Sequence, residues 1–98
     1  MNNIIDLNEI LSRRAKVKLK NKVLSVKDIT ILQFEKMLEI EKSNNINEQC
    51  KLLAEILSNN DEKINVSVNE LKAMTRPAII HLWNVFALRS IDIVSDPN

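Results

Sequence analysis

The sequence predicts a mainly α domain, a small helical fold of four to five helices with one N-terminal β-hairpin. Three observations lead there. Between Lys16 and Lys27, apolar and polar residues alternate with the two-residue period of a strand. From Ile31 onward, apolar residues recur at spacings of three and four, as on helices that bury one face. Asp6-Leu-Asn-Glu9, Thr30-Ile-Leu-Gln33 and Ser67-Val-Asn-Glu70 each have capping-box spacing, in which the first and fourth residues satisfy each other's free backbone N–H. Ninety-eight residues build one modest core and not two, so 1–98 is read as a single domain.

The Asp6 box opens a short amino-terminal helix, assigned to 4–15. The hairpin takes 16–27. If Asn21-Lys22 form a two-residue loop, Lys20 faces Val23, Leu19 faces Leu24 and Val17 faces Val26. Val17, Leu19, Leu24 and Val26 then share the inner face, and Lys16, Lys18, Ser25 and Lys27 the outer one. Lys22 would have to take positive φ, where Gly is preferred. The helical region covers 31–91. Its first helix, Ile31 to about Lys42, bears an apolar stripe of Ile31, Phe34, Met37 and Leu38 with Ile40 at its edge, and Ser43-Asn44-Asn45 stops it. The next, about Asn47 to Ser58, carries Cys50, Leu53, Ala54 and Leu57 on one face, and Ser58-Asn59-Asn60 repeats the stop. The chain has no glycine and thirteen asparagines, so asparagine is expected at left-handed positions. After a polar connection, Asp61–Val66, the Ser67 box starts a short helix to about Met74. Thr75-Arg76-Pro77 starts the last helix, since Pro is tolerated in a first turn. It runs to about Ile91 and leaves 92–98 as a tail.

That last helix is apolar nearly all round: Ile79, Ile80, Leu82, Trp83, Val85, Phe86, Leu88 and Ile91 leave a strip of His81, Asn84 and Asp92, with Arg89 beside it. Such a helix must be covered on more than one side, and a partner is expected to do part of this. Ile79, Leu82, Trp83 and Phe86 are the candidates for partner contact or self-association. Core packing is the plainer reading of Trp83 and Phe86.

Charge is unevenly spread. Arg13, Arg14, Lys16, Lys18, Lys20, Lys22 and Lys27 make a stretch of seven basic residues with no acidic one, so in a chain of net charge +1 the rest stands at −6. The stretch could neutralise several phosphates. Against that stand a pI near 7.9 and the absence of any interleaved aromatic residue for stacking. Lysines on the outer face of a hairpin also block edge-to-edge sheet association, and this solvated-face reading is preferred. A small nucleic-acid-binding regulator using 13–27 is the alternative.

Other classes are excluded by what the sequence lacks. Without glycine there is no phosphate-cradling loop, dinucleotide fingerprint or nucleophile elbow. Cys50 and His81 are the only residues of their kinds and fall on different helices, so neither a catalytic pair nor a zinc site is expected. Glu35, Glu39 and Glu41 read as a solvated helix face. No catalytic residue, metal or cofactor is assigned. One cysteine permits no internal disulfide. Met1–Asn8 lacks a signal-peptide core, and Pro77–Leu88, broken by His81 and Asn84, is too short to span a bilayer. A cytoplasmic location away from membranes is the expectation.

Ile4–Lys42, "IIDLNEILSRRAKVKLKNKVLSVKDITILQFEKMLEIEK", resembles the start of the tail assembly chaperones of long-tailed phages. The pattern is a "DLNEIL" helix, a basic hairpin of the form "VKL..K.LSVKDIT" and an acidic amphipathic helix "ILQFEKMLEIE". The chain departs at the turn, where members often carry Gly. The resemblance implies a non-enzymatic protein of the host cytoplasm, absent from the mature virion. Its implied partners are the tape-measure protein, which it keeps soluble, and the tail-tube protein, which it helps recruit. Self-association into a homo-oligomer is a further expectation.

Overall fold

Two of the three capping boxes close, and the hairpin forms with the expected faces in a different register. The computed structural model describes residues 4–95, with side chains as far as Ile91. In chain order it contains α1 (Leu7–Leu11), β1 (Arg14–Leu19), β2 (Lys22–Lys27), α2 (Ile31–Ser43), α3 (Ile46–Ser58), α4 (Val68–Lys72) and α5 (Arg76–Ser95). The fold is small and mainly α, with one two-stranded antiparallel sheet among the described residues.

Helix starts follow the local chemistry. The Gln33 N–H donates to Thr30 Oγ1 at 3.1 Å, and Gln33 Oε1 accepts from the Thr30 N–H at 3.0 Å. Ser67 and Glu70 make the same exchange at 3.1 and 3.0 Å. At α1 the Asp6 carboxylate accepts from the Asn8 N–H at 3.0 Å, but Glu9 makes no return bond and the helix is one short turn rather than 4–15. Arg14 already belongs to a strand. Asn44 ends α2 at φ 53° and ψ 39°, the left-handed conformation anticipated for asparagine in place of glycine. Asn45 then caps α3 by accepting from the Glu48 N–H at 3.2 Å. Two adjacent asparagines thus end one helix and begin the next.

The hairpin loop is Lys20-Asn21, not Asn21-Lys22. Ala15 pairs with Val26, Val17 with Leu24 and Leu19 with Lys22, a slip of two residues from the expected pairing. A slip of two leaves every side chain on its expected face, because the period is two. Leu24 and Val26 are fully buried, and Val17 and Leu19 pack against the core. Positive φ falls on Lys20 at 57°, the first loop residue, as in a type II′ turn. Lys63 is also left-handed, so asparagine fills one of three such positions among the described residues.

Helix α3 lies at the centre, against α2, α4, α5 and β2. Cys50, Leu53, Ala54 and Leu57 are buried as expected, and Leu52 and Ile56 are buried with them. On α2 only Met37 and Gln33 are buried, with Phe34 and Ile40 half-buried, whereas Ile31 is 76 % and Leu38 46 % exposed. The packed face is therefore rotated toward Gln33, whose amide donates to Glu55 Oε2 on α3 at 3.0 Å. Helix α5 continues to Ser95, so 92–95 extend it rather than forming a tail; 96–98 lie outside the described residues. No helix among the described residues is long and apolar enough to cross a membrane.

The second Ser-Asn-Asn does more than stop α3. Asn60 is 7 % exposed, and its amide donates to the Leu57 and Ile64 carbonyls at 2.8 Å each, while its Oδ1 accepts from the Ile64 N–H at 2.9 Å. The turn so formed pairs with the outer edge of β2: the Lys27 N–H donates to Asn59 O at 3.0 Å and the Asp61 N–H to Ser25 O at 3.1 Å. One edge of the hairpin is thereby covered.

Candidate functional site

A groove of about 530 Å³ opens where the α2–α3 corner, α4 and the start of α5 meet. Cys50 and Leu71 form its floor, both buried. Ile46, Met74, Ile79, Ile80 and Trp83 make apolar walls, of which Ile46 and Ile80 are each 45 % exposed. The rim is polar and charged, with Asn44, Asn47 and Gln49 on one side, and Lys72 and Arg76 on the other. Glu41 closes one end, its carboxylate accepting the Trp83 indole N–H at 2.8 Å. That bond fixes the indole as a groove wall and satisfies its one polar atom. The groove lies within the usual size range of small-ligand and side-chain pockets, but its open apolar walls suit an inserted helix side better than a small polar substrate.

The residues expected to meet a partner are divided by the structure. Phe86 is fully buried in the core and cannot reach a partner. Ile79 and Trp83, at 6 % and 5 % exposure, are core residues that also show one side to the groove. Leu82 is half-buried against the core. The exposed large apolar residues of α5 among the described side chains are instead Ile80, Leu88 and Ile91. His81 and Asn84 are exposed as the polar strip requires, while the side chain of Asp92 lies outside the described residues. Cys50 is buried on α3 and His81 exposed on α5, so they do not form a pair.

The basic stretch is partly engaged within the chain. Arg14 Nε donates to both carboxylate oxygens of Asp61, at 3.0 and 2.9 Å. Asp28 lies between two arginines, 2.7 Å from Arg89 Nε and 3.6 Å from Arg13 Nε. Lys16 Nζ donates to Ser25 Oγ at 2.7 Å, and Ser25 in turn donates to Glu62 Oε2 at 2.8 Å. Ser25, assigned to the wet face, is consequently buried. Lys18, Lys20, Lys22 and Lys27 remain exposed, with Lys20 and Lys22 in the field of Glu70. Asp28, the Asp61-Glu62 turn and Glu70 of α4 supply the counter-charge. With both arginines in ion pairs, the stretch is a poorer phosphate surface than its sequence suggests.

The Glu62 carboxylate also accepts the Ser25 backbone N–H at 2.7 Å. That bond first, and the Ser25 hydroxyl second, favour the ionised form and hold its pKa below the ordinary glutamate value. The resulting stabilisation is present above the ordinary value of 4.5 and is lost as pH falls through the lower folded one. Glu62→Gln is therefore expected to flatten the acid limb of the stability–pH curve, measured by urea unfolding between neutral pH and about pH 3. An unchanged acid limb would show that the network contributes nothing. Glu70, shifted the same way chiefly by the Ser67 N–H, should keep part of the slope in that variant.

No family model, no curated protein and no solved structure matches the chain.

Proposed function

We propose that this chain is a non-enzymatic tail assembly chaperone of a long-tailed phage. It binds apolar-striped helical segments of a tape-measure protein, keeps that client soluble and assists tail-tube assembly around it. The observation that carries this reading is the groove between α3, α4 and α5. An amphipathic helix laid there buries its apolar side chains on Met74, Ile80 and Trp83, and its polar flanks meet Asn47, Lys72 and Arg76. The resemblance of Ile4–Lys42 supplies the identity of the client and of the second partner, the tail-tube protein. In this reading the chain works in the host cytoplasm and leaves before the virion is complete. Several copies on one long client add avidity that a single shallow groove lacks.

Trp83 is the only tryptophan and stands in the groove wall, so its fluorescence reports occupancy. Titration with synthetic tape-measure helices is expected to shift its emission. Ile80→Asp, at a half-exposed position, should weaken binding about tenfold or more while leaving the fold intact. Binding that leaves the emission unchanged and tolerates Ile80→Asp would remove the groove from the function.

A further inference from the structure

The amino-terminal segment is apolar and covers nothing. Ile4, Ile5, Leu7 and Leu11 are between 59 % and 80 % exposed and Ile10 is 42 % exposed, with no buried residue in α1. Leu7, Ile10 and Leu11 share one face of the helix, and Ile4 and Ile5 lead into it. Five large apolar side chains in eight residues form a patch of the kind that marks an interaction site. The arm also carries Asp6 and Glu9 and no basic residue, and neither acid makes an ion pair among the described residues.

The groove offers the complementary chemistry. Its walls are apolar, and Lys72 and Arg76 on its rim likewise make no ion pair among the described residues. We infer that the arm of one copy docks in the groove of a second copy. Its aliphatic side chains cover Met74, Ile80 and Trp83, and its acids face Lys72 and Arg76. The inference rests on the groove being a helix-binding site, but not on the client's identity. It makes the arm a placeholder that a client helix must displace.

The arm does not reach its own groove. Its carboxyl end is tied to the hairpin root, where Arg14 Nη1 donates to Leu11 O at 3.1 Å and Arg14 pairs with Asp61. The root also meets the far end of α5 through Arg13, Asp28 and Arg89. From Arg89 back to Arg76 on the groove rim is about 20 Å of helix at 1.5 Å per residue. The strands of the hairpin span a similar length between that root and the loop residue Lys20, which lies beside α4.

The test uses the full chain alone, by sedimentation across a concentration series. The wild type is expected to self-associate. Leu7→Asp with Leu11→Asp should weaken association about tenfold or more per leucine, with an unchanged melting temperature at concentrations where both proteins are monomeric, because the arm buries nothing within its own chain. Ile80→Asp should weaken it comparably. A synthetic peptide of residues 1–12 should shift the amide signals of Met74 and Ile80 and the Trp83 indole, and should dissociate the wild-type oligomer. A wild type that stays monomeric at about millimolar concentration overturns the inference, since avidity is then irrelevant to the free chain. So does association indifferent to the arm substitutions, or association that needs the arm but tolerates Ile80→Asp. Loss of client binding with self-association intact would count against the chaperone reading alone.

Discussion

Phe86→Ala is expected to lower the unfolding free energy by about 3–5 kcal/mol, the usual cost of emptying a buried phenylalanine site. Phe86 is fully buried and is the largest of the fully buried side chains among the described residues. A domain of this size has roughly 5–15 kcal/mol in all, so the variant should lose a large share of its stability. Leu88, two residues along the same helix, is 56 % exposed. Leu88→Ala should change stability by no more than about 0.5 kcal/mol. Urea unfolding of both variants separates the inward from the outward side of α5. A small effect at Phe86 or a large one at Leu88 would reverse the assignment.

Asn60→Ala is expected to cost about 2–4 kcal/mol, because the three hydrogen bonds of this buried side chain are worth roughly 1 kcal/mol each and the Ile64 N–H is left without its acceptor. The loss should spread to the hairpin. With the Asn60 turn loosened, the Lys27 N–H loses its hold on Asn59 O and should exchange with solvent faster than in the wild type. Asn60→Asp keeps the acceptor and removes both donors to the Leu57 and Ile64 carbonyls, so most of the cost should remain. Hydrogen exchange at Lys27 and urea unfolding check both effects. Wild-type values in either variant would mean that the turn is held by other contacts.

The two asparagine triplets show how far sequence carries and where it stops. Ser43-Asn44-Asn45 is legible because its job is local: a left-handed end to one helix and a cap on the next. Ser58-Asn59-Asn60 has the same letters, yet Asn59 is not left-handed and Asn60 turns inward to bind a loop and support β2. Nothing within four residues of Asn60 reports that a strand lies beside it. The hairpin faces were legible despite the wrong loop, since a slip of two residues preserves alternation. The loop itself was not, because without Gly neither Lys20 nor Lys22 carries a turn signal.

The apolar stripe of α2 was misplaced for a related reason. Periodicity finds an apolar side, but the neighbours decide which edge of it is covered, and here Gln33 and Met37 are buried while Ile31 and Leu38 are exposed. The candidate site was legible only in part. Ile79 and Trp83 were singled out, and both stand in the groove wall. Ile46, Leu71 and Met74 were missed because the groove joins the ends of three elements that no single-helix pattern connects. The counter-charges of the basic stretch had a visible signal: Asp28 abuts the stretch, and Asp61-Glu62 open the polar connection after α3.

Co-expression of the tape-measure protein with this chain tests the chaperone reading most directly. The fraction of tape-measure protein in the soluble lysate is the quantity to measure, with wild type, with Ile80→Asp plus Arg76→Glu, and with no partner. The expected result is a soluble client with the wild type and an aggregated one with the groove variant, at equal levels of folded chain. A client equally soluble in all three, or equally aggregated, would contradict the reading.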